Sequence, residues 1–315
     1  MVGTETLSSA EALIPLIIGL TIHAQAKASK LIVIRKIQII LGMIKFGHTI
    51  FALPFAVMST FLASKGIPKL DKISWIIVAM VGARSCAMSF NRIADAEIDA
   101  GNPRTAMRAI PSGNLKKWEA WIFTIISANL LVLAAFKLNP LAFALSPLAL
   151  IVIMLYSYTK RFTSLAHLWL GLSLAISPIG AWIAITGQFE ILPILLGLAV
   201  MFWTAGFDII YACQDFEFDR RKGLHSIPVK LGIRMSLWIS SGMHTLTVYI
   251  LISIGVIGEL GLIYLTGVGI VMTILIYEHV IVKPDDLSRV NLAFFTLNGM
   301  VSLILMVLSI MDLLI

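Results

Sequence analysis

Two pairs of aspartates stand four residues apart in apolar surroundings: Asp95 and Asp99 within NRIADAEID, and Asp215 and Asp219 within DFEFD. On a helix such residues share a face, and two like charges there repel unless a cation lies between them. Arg84, Asn91, Asp95 and Asp99 fall on one helical face, and Asp208, Tyr211, Asp215 and Asp219 on another. Carboxylates with an asparagine oxygen make a hard, all-oxygen donor set of the kind Mg²⁺ takes. Asn91, Asp95, Asp99, Asp215 and Asp219 are therefore the expected metal ligands. Because Mg²⁺ keeps few protein ligands and shares phosphate oxygens, the expected substrate is phosphorylated. Glu97 points away from that face. Arg104, Arg108, Lys160, Arg161 and Arg220 are placed to grip the oxygens of a diphosphate. One such acidic pair at a membrane surface can simply solvate a helix end. Two in equivalent positions, each flanked by Arg and Lys, point to a site.

Four more polar residues are embedded in apolar stretches. A charge in the hydrocarbon region costs about 2.5–3.5 kcal/mol on insertion scales, so it faces a cavity or a partner. Arg84 and Asp208 are expected to pair across such a cavity. Lys45 and His48, three apart in IKFGHTIFALPFA, offer a grip for a substrate carboxylate or phosphate, although His48 equally suits a backbone carbonyl.

The elements that position these residues are membrane helices. Of 315 residues, 59% are hydrophobic and 13% charged, where a soluble domain carries about 25% charged residues. Apolar runs at 38–63, 71–90, 117–137, 139–157, 165–186, 192–213, 236–257, 260–281 and 291–314 are each long enough to span as a helix. They predict an all-α integral membrane protein of nine transmembrane helices. Uninterrupted apolar runs exclude the alternation of a barrel. No polar region is long enough for a soluble domain, so residues 1–315 read as one polytopic domain. Residues 1–36 read as an interfacial N-terminal segment: the apolar stretch 13–22 is too short to span and lacks the basic region that precedes it in a signal peptide.

The net charge of +7 follows topology rather than nucleic-acid binding. Of the 24 Lys and Arg, only Lys65, Lys69, Lys72 and Lys137 fall in the loops of one side, and Lys45 and Arg84 lie inside spans. All others fall on the alternate side, which predicts a cytoplasmic N-terminus and a site facing the cytoplasm of a prokaryotic plasma membrane. Cys86 and Cys213 read as packing residues, with neither a disulfide nor a metal site inferred. Both acidic motifs open a basic loop with a downstream Ile-Pro, in NPRTAMRAIPSG and RRKGLHSIPVKLG. A parallel internal repeat produces that likeness, as does convergence on one ligand.

At these residues the sequence resembles the UbiA superfamily of intramembrane prenyltransferases. The resemblance covers essentially the whole chain and rests on NxxxDxxxD (Asn91, Asp95, Asp99), YxxxDxxxD (Tyr211, Asp215, Asp219), NPRTAMRAIPSG and YSYTKRFT at 156–163. IKFGHTIFALPFA, NPRTA and DFEFDRRKGLHSIP are most like the 4-hydroxybenzoate polyprenyltransferase branch, which includes relatives proposed to prenylate a dihydroxynaphthoate on the futalosine route to menaquinone. Arg92 departs from the second acidic residue many members carry there. The resemblance implies helices around a central cavity, two Mg²⁺ ions bridging a polyprenyl diphosphate, and a small aromatic acid attacking an allylic carbocation. It also implies that the prenyl chain lies among the spans in contact with membrane lipid. Tyr156 or Tyr211 would stabilise the cation, position the diphosphate or simply pack.

From a different class, an ion or solute transporter also carries intramembrane acids. Against it, the acids here cluster on one side. A phosphotransferase acting on CDP-alcohols uses one compact pair of Asp motifs, which does not fit two motifs 120 residues apart.

Overall fold

The computed structural model describes residues 23, 27, 30, 34–44 and 51–315. Residues 34–43 are helical. The elements that follow are α1 (Leu53–Ser64), α2 (Leu70–Ala94), α3 (Ala96–Ala100), α4 (Lys117–Leu138), α5 (Pro140–Thr159), α6 (Ala166–Thr186) and α7 (Ile191–Ala212). After a 3₁₀ turn at Cys213–Asp215 come α8 (Phe216–Lys222), α9 (Ile227–Ile257), α10 (Leu262–Ile281), a π-helical turn at Leu292–Leu297 and α11 (Asn298–Leu314).

Among the described residues, eight segments are long and apolar enough to cross a membrane, and they coincide with eight of the expected runs. The first run, 38–63, passes through residues 45–50, which lie outside the described residues, as do Lys45, His48 and most of the interfacial segment 1–36. The seventh run begins at Ile227 rather than at 236. Ser226 Oγ accepts from the Val229 amide (3.3 Å) to cap that start, and Gly232 then breaks the helical backbone at φ 78°, ψ 161°. Side-chain-bearing residues rarely adopt that conformation, so glycine lets the helix change direction there.

Helix packing in lipid lacks the driving force that water supplies, so close approach and polar contacts take its place. α7 is the enclosed centre. It packs against α6 so tightly that a Cβ on Gly171 would lie 2.2 Å from the Met201 carbonyl oxygen. Against α9, Ser240 Oγ donates to the Gly206 carbonyl (2.8 Å) and His244 Nε2 lies 3.3 Å from the Trp203 carbonyl. Two prolines sit inside helices. Pro147 deprives the Phe143 carbonyl of its backbone donor, and Ser146 Oγ donates to it instead (2.8 Å). At Pro178 the helix is tied to α1: Ser59 Oγ donates to the Pro178 carbonyl (2.6 Å), and Ser177 Oγ to the Ala52 carbonyl (2.9 Å).

Both acidic motifs share one backbone device. α2 stops at Ala94, Asp95 takes φ −93°, ψ 5°, and α3 resumes the helix. α7 gives way to the 3₁₀ turn, Asp215 takes φ −96°, ψ 5°, and α8 resumes. This sparsely populated bridge conformation re-aims the chain at the first aspartate of each motif. Backbone bonds still cross the break, from the Asp95 amide to Asn91 (2.9 Å) and from the Asp99 amide to Asp95 (2.8 Å).

Candidate active site

The segment after the first motif folds back over the motif ends. Thr105 Oγ1 donates to the Asp99 carbonyl (3.1 Å), and Asn102 Oδ1 accepts from the Arg104 amide (2.9 Å). This turn aims Arg104 across the cavity. Its Nε and Nη2 donate to the two oxygens of Asp215 (3.1 and 2.6 Å), and its Nη1 donates to the Tyr211 hydroxyl (2.7 Å). Arg108 Nη1 donates to both oxygens of Asp99 (2.6 and 2.7 Å), with Arg92 Nη1 3.5 Å from the same carboxylate.

The turn between α5 and α6 serves both motifs at once. Lys160 Nζ lies 3.6 Å from Asp219 Oδ2, while the adjacent Arg161 lies 3.5 Å from Asp95 Oδ1 and donates to the Ala94 carbonyl (2.6 Å). Each motif aspartate thus has a cationic partner. The second aspartate of each pair is the deeper, Asp99 at 5% and Asp219 at 3% exposure, whereas Asp95 and Asp215 are half-buried.

Electrostatics follow this pairing. Burial opposes the charges of Arg104 and Lys160, but the facing carboxylates outweigh it and hold both pKa values above the ordinary. Burial, with Asp99 nearby, raises Asp95 against the opposing pull of Arg161, Arg92 and Asn91.

These residues line one cavity of about 240 Å³. It includes Asn91, all four motif aspartates, Arg104, Arg108, Lys160, Arg161, Arg84, Tyr156, Asp208 and Tyr211. Arg220 is not among them. It follows Asp219 by one residue, which on a helix turns it off the motif face, and it is exposed with its guanidinium over the Phe216 ring (5.7 Å). The expected Arg84–Asp208 pair does not form. Asp208 Oδ2 instead meets His167 Nδ1 at 2.7 Å, and that ring's Nε2 accepts from the Ile227 amide (3.4 Å).

Sequence reasoning overlooked His167 and the aromatic wall. Phe294 stacks on Tyr211 with centroids 4.1 Å apart and meets Phe207 edge-on at 5.2 Å. Phe294 sits in the π-helical turn, a device frequent at functional sites. No local spacing in NLAFFTLNG announces it.

The residue types suit Mg²⁺, although among the described residues no three carboxylate or imidazole groups stand close enough together to hold an ion while each aspartate faces its cation. The donor set is all oxygen, and Asp219 Oδ2 is buried without a hydrogen-bond donor. An apolar groove of about 430 Å³ adjoins the cavity, bounded by α2, α4, α5 and α6, and the two share Arg84, Met88, Asn91, Tyr156, Leu170 and Leu174 as lining.

Comparison with known proteins gives a consistent result. Residues 52–300 match the UbiA prenyltransferase family. The 4-hydroxybenzoate octaprenyltransferase of Paraburkholderia phytofirmans is 30% identical over 233 residues, 74% of this chain and 81% of the relative. That of Vibrio parahaemolyticus is 29% identical over 245 residues, 76% and 85% of the two chains. A UbiA homologue from Aeropyrum pernix superposes with a TM-score of 0.78 at 35% identity, over 85% of this chain and 98% of that one. A UbiA homologue from Archaeoglobus fulgidus, solved with DMAPP and Mg²⁺, shares the fold at a TM-score of 0.67 and 20% identity, over 87% of this chain and 98% of that one.

Proposed function

Because the chain belongs to the UbiA prenyltransferase family, we propose that it transfers a polyprenyl group from a polyprenyl diphosphate to an aromatic acid of the 4-hydroxybenzoate type. The observation that carries this reading is the cavity itself, where two aspartate motifs and their cations meet the mouth of an apolar groove. An ion path would need polar lining along its length, and away from its junction with the cavity the groove is walled mostly by apolar side chains.

The groove holds the prenyl chain, which arrives from the bilayer and leaves its diphosphate among the motifs. Arg104, Arg108, Lys160 and Arg161, each now on a carboxylate, can turn to phosphate oxygens, and Arg suits that planar, two-point grip. Two magnesium ions, one on Asn91, Asp95 and Asp99 and one on Asp215 and Asp219, would neutralise charge growing on the leaving diphosphate. The allylic C–O bond breaks with its electron pair leaving on the diphosphate. The aromatic side chains that line the cavity, Tyr156, Tyr211 and Phe294, favour a positive carbon near them, and the apolar wall keeps water from it. A ring carbon of the acceptor forms the new bond, and the ring proton passes to a carboxylate or water. The excess of Lys and Arg in the loops beside the motifs supports a site on the cytoplasmic side of the plasma membrane of a prokaryote.

The same chemistry on a dihydroxynaphthoate is the second reading, because the cavity lining that supports an aromatic acid does not distinguish one ring from two. The test is to incubate membranes carrying the protein with Mg²⁺, geranyl diphosphate and each acceptor. Prenylated product with released diphosphate supports the reading, and neither appearing with any acceptor ends it.

A further inference from the structure

Asn298 is a fully buried amide in a membrane span, and it is not among the residues that line the aspartate cavity. It opens α11 directly after the π-helical turn. Its Nδ2 donates to the Ala293 carbonyl (2.9 Å), five residues back, and its Oδ1 accepts from Trp203 Nε1 (2.6 Å) on α7. Both ends of the amide are thus matched, as burial in lipid requires. Such a residue can serve simply as glue between helices. What sets this one apart is the carbonyl it holds, which lies inside the π turn.

A π turn is wider than an α turn and persists only where something favours it over the ordinary register. Here it places two consecutive rings, Phe294 and Phe295, on one cavity wall. Both pack on Tyr211, with centroids 4.1 and 6.2 Å from its ring, and on each other at 4.7 Å. Trp203 braces the same wall from behind: its ring meets Phe207 edge-on at 4.9 Å, and Phe207 meets Phe294 at 5.2 Å. The Asn298 amide therefore ties α7 to the register that decides where Phe294 points. Return to the α register would swing Phe294 about 100° around the axis, one residue's rotation.

We propose that Asn298 is a positioning residue for prenyl transfer: by holding the π turn it keeps Phe294 on Tyr211, and so keeps water from the allylic cation. This assignment rests on the prenyl-transfer reading. Water that captures the cation forms a C–O bond and releases a proton, leaving a prenyl alcohol in place of the prenylated acid.

The test uses the purified full chain in lipid nanodiscs with Mg²⁺, geranyl diphosphate, and 4-hydroxybenzoate or the naphthoate, whichever the wild type prenylates. Geraniol and linalool are counted against prenylated acid. Asn298→Leu removes both hydrogen bonds at nearly constant volume. Its kcat should fall about 2- to 30-fold, the span of a lost ring–cation contact, and its alcohol-to-acid ratio should rise by a similar factor. The Kd of the unreactive geranyl S-thiolodiphosphate, measured by calorimetry, should stay at the wild-type value, because no motif residue is changed. A ratio unchanged from the wild type, or a kcat loss matched by the loss of donor affinity, overturns the assignment and leaves Asn298 a tie between helices. If Asn298→Leu does not fold, Trp203→Phe, which removes only the indole donor, is held to the same criterion. Product from the wild type with an unchanged ratio in the variant removes Asn298's role alone, whereas no product from the wild type with any acceptor removes the prenyl-transfer reading.

Discussion

Arg104, which follows the first aspartate motif, forms a two-point ion pair with Asp215, which opens the second, across 111 residues of sequence. The two motifs are thereby joined by the chain itself, and the guanidinium stands where a diphosphate would lie between them. Arg104→Gln should lower kcat/KM for the prenyl diphosphate by roughly 10- to 100-fold, the scale of a lost charge-assisted contact. Arg104→Lys keeps the charge without the fork and should fall between. Steady-state kinetics with varied diphosphate check both.

Asp95 and Asp215 occupy the same bridge conformation at the breaks of their motifs. Asp95→Ala or Asp215→Ala should abolish turnover while leaving a monodisperse protein in detergent. Full activity in either variant would remove the two-motif reading.

Each motif carboxylate already has a cation beside it. Metal binding therefore exchanges partners rather than relieving bare repulsion. EDTA should stop turnover, and added Mg²⁺ should restore it, while the thermal midpoint in EDTA stays within a few degrees of that in Mg²⁺. A large fall in the midpoint on chelation would show that the ion pairs do not balance the carboxylates.

His167 is fully buried and its Nδ1 sits 2.7 Å from Asp208. His167→Ala should destabilise the protein by about 1.5–3 kcal/mol, the range for a hydrogen bond to a charged group. Reversing Arg84 and Asp208 together should bring no rescue, because the two do not pair. Unfolding in mixed micelles measures the first, and expression of the double variant the second.

At Gly171 a side chain has nowhere to go, since even a Cβ would lie 2.2 Å from the Met201 carbonyl oxygen. Gly171→Leu should force α6 from α7 and cost upward of roughly 1–3 kcal/mol by overpacking. Gly180→Ala, inside the same helix where a Cβ meets nothing within 4 Å, is the control and should be no less stable than the wild type.

What the sequence could disclose was whatever repeats at helical or bilayer spacing. The spans are legible because hydrocarbon thickness fixes their length, and the aspartates because four-residue spacing fixes their face. The start at Ile227 was hidden, since Lys230 and Arg234 make the first turns of α9 look like loop. His167 carries no local signal either: its meaning depends on α6 lying beside α7. Arg220 shows the opposite error, a cation next to the motif in sequence that the helix turns away from the cavity.

The groove beside the cavity also sets the units in which this enzyme counts its substrate. If the groove between α2, α4, α5 and α6 takes the prenyl chain as proposed, that chain would be delivered by diffusion within the lipid sheet, and its concentration would be a mole fraction per leaflet and not a molarity. Adding inert lipid at constant total substrate should slow the reaction by surface dilution, while the water-borne acceptor keeps its ordinary volume dependence. One active site would then obey two concentration laws, one for each side from which it is fed.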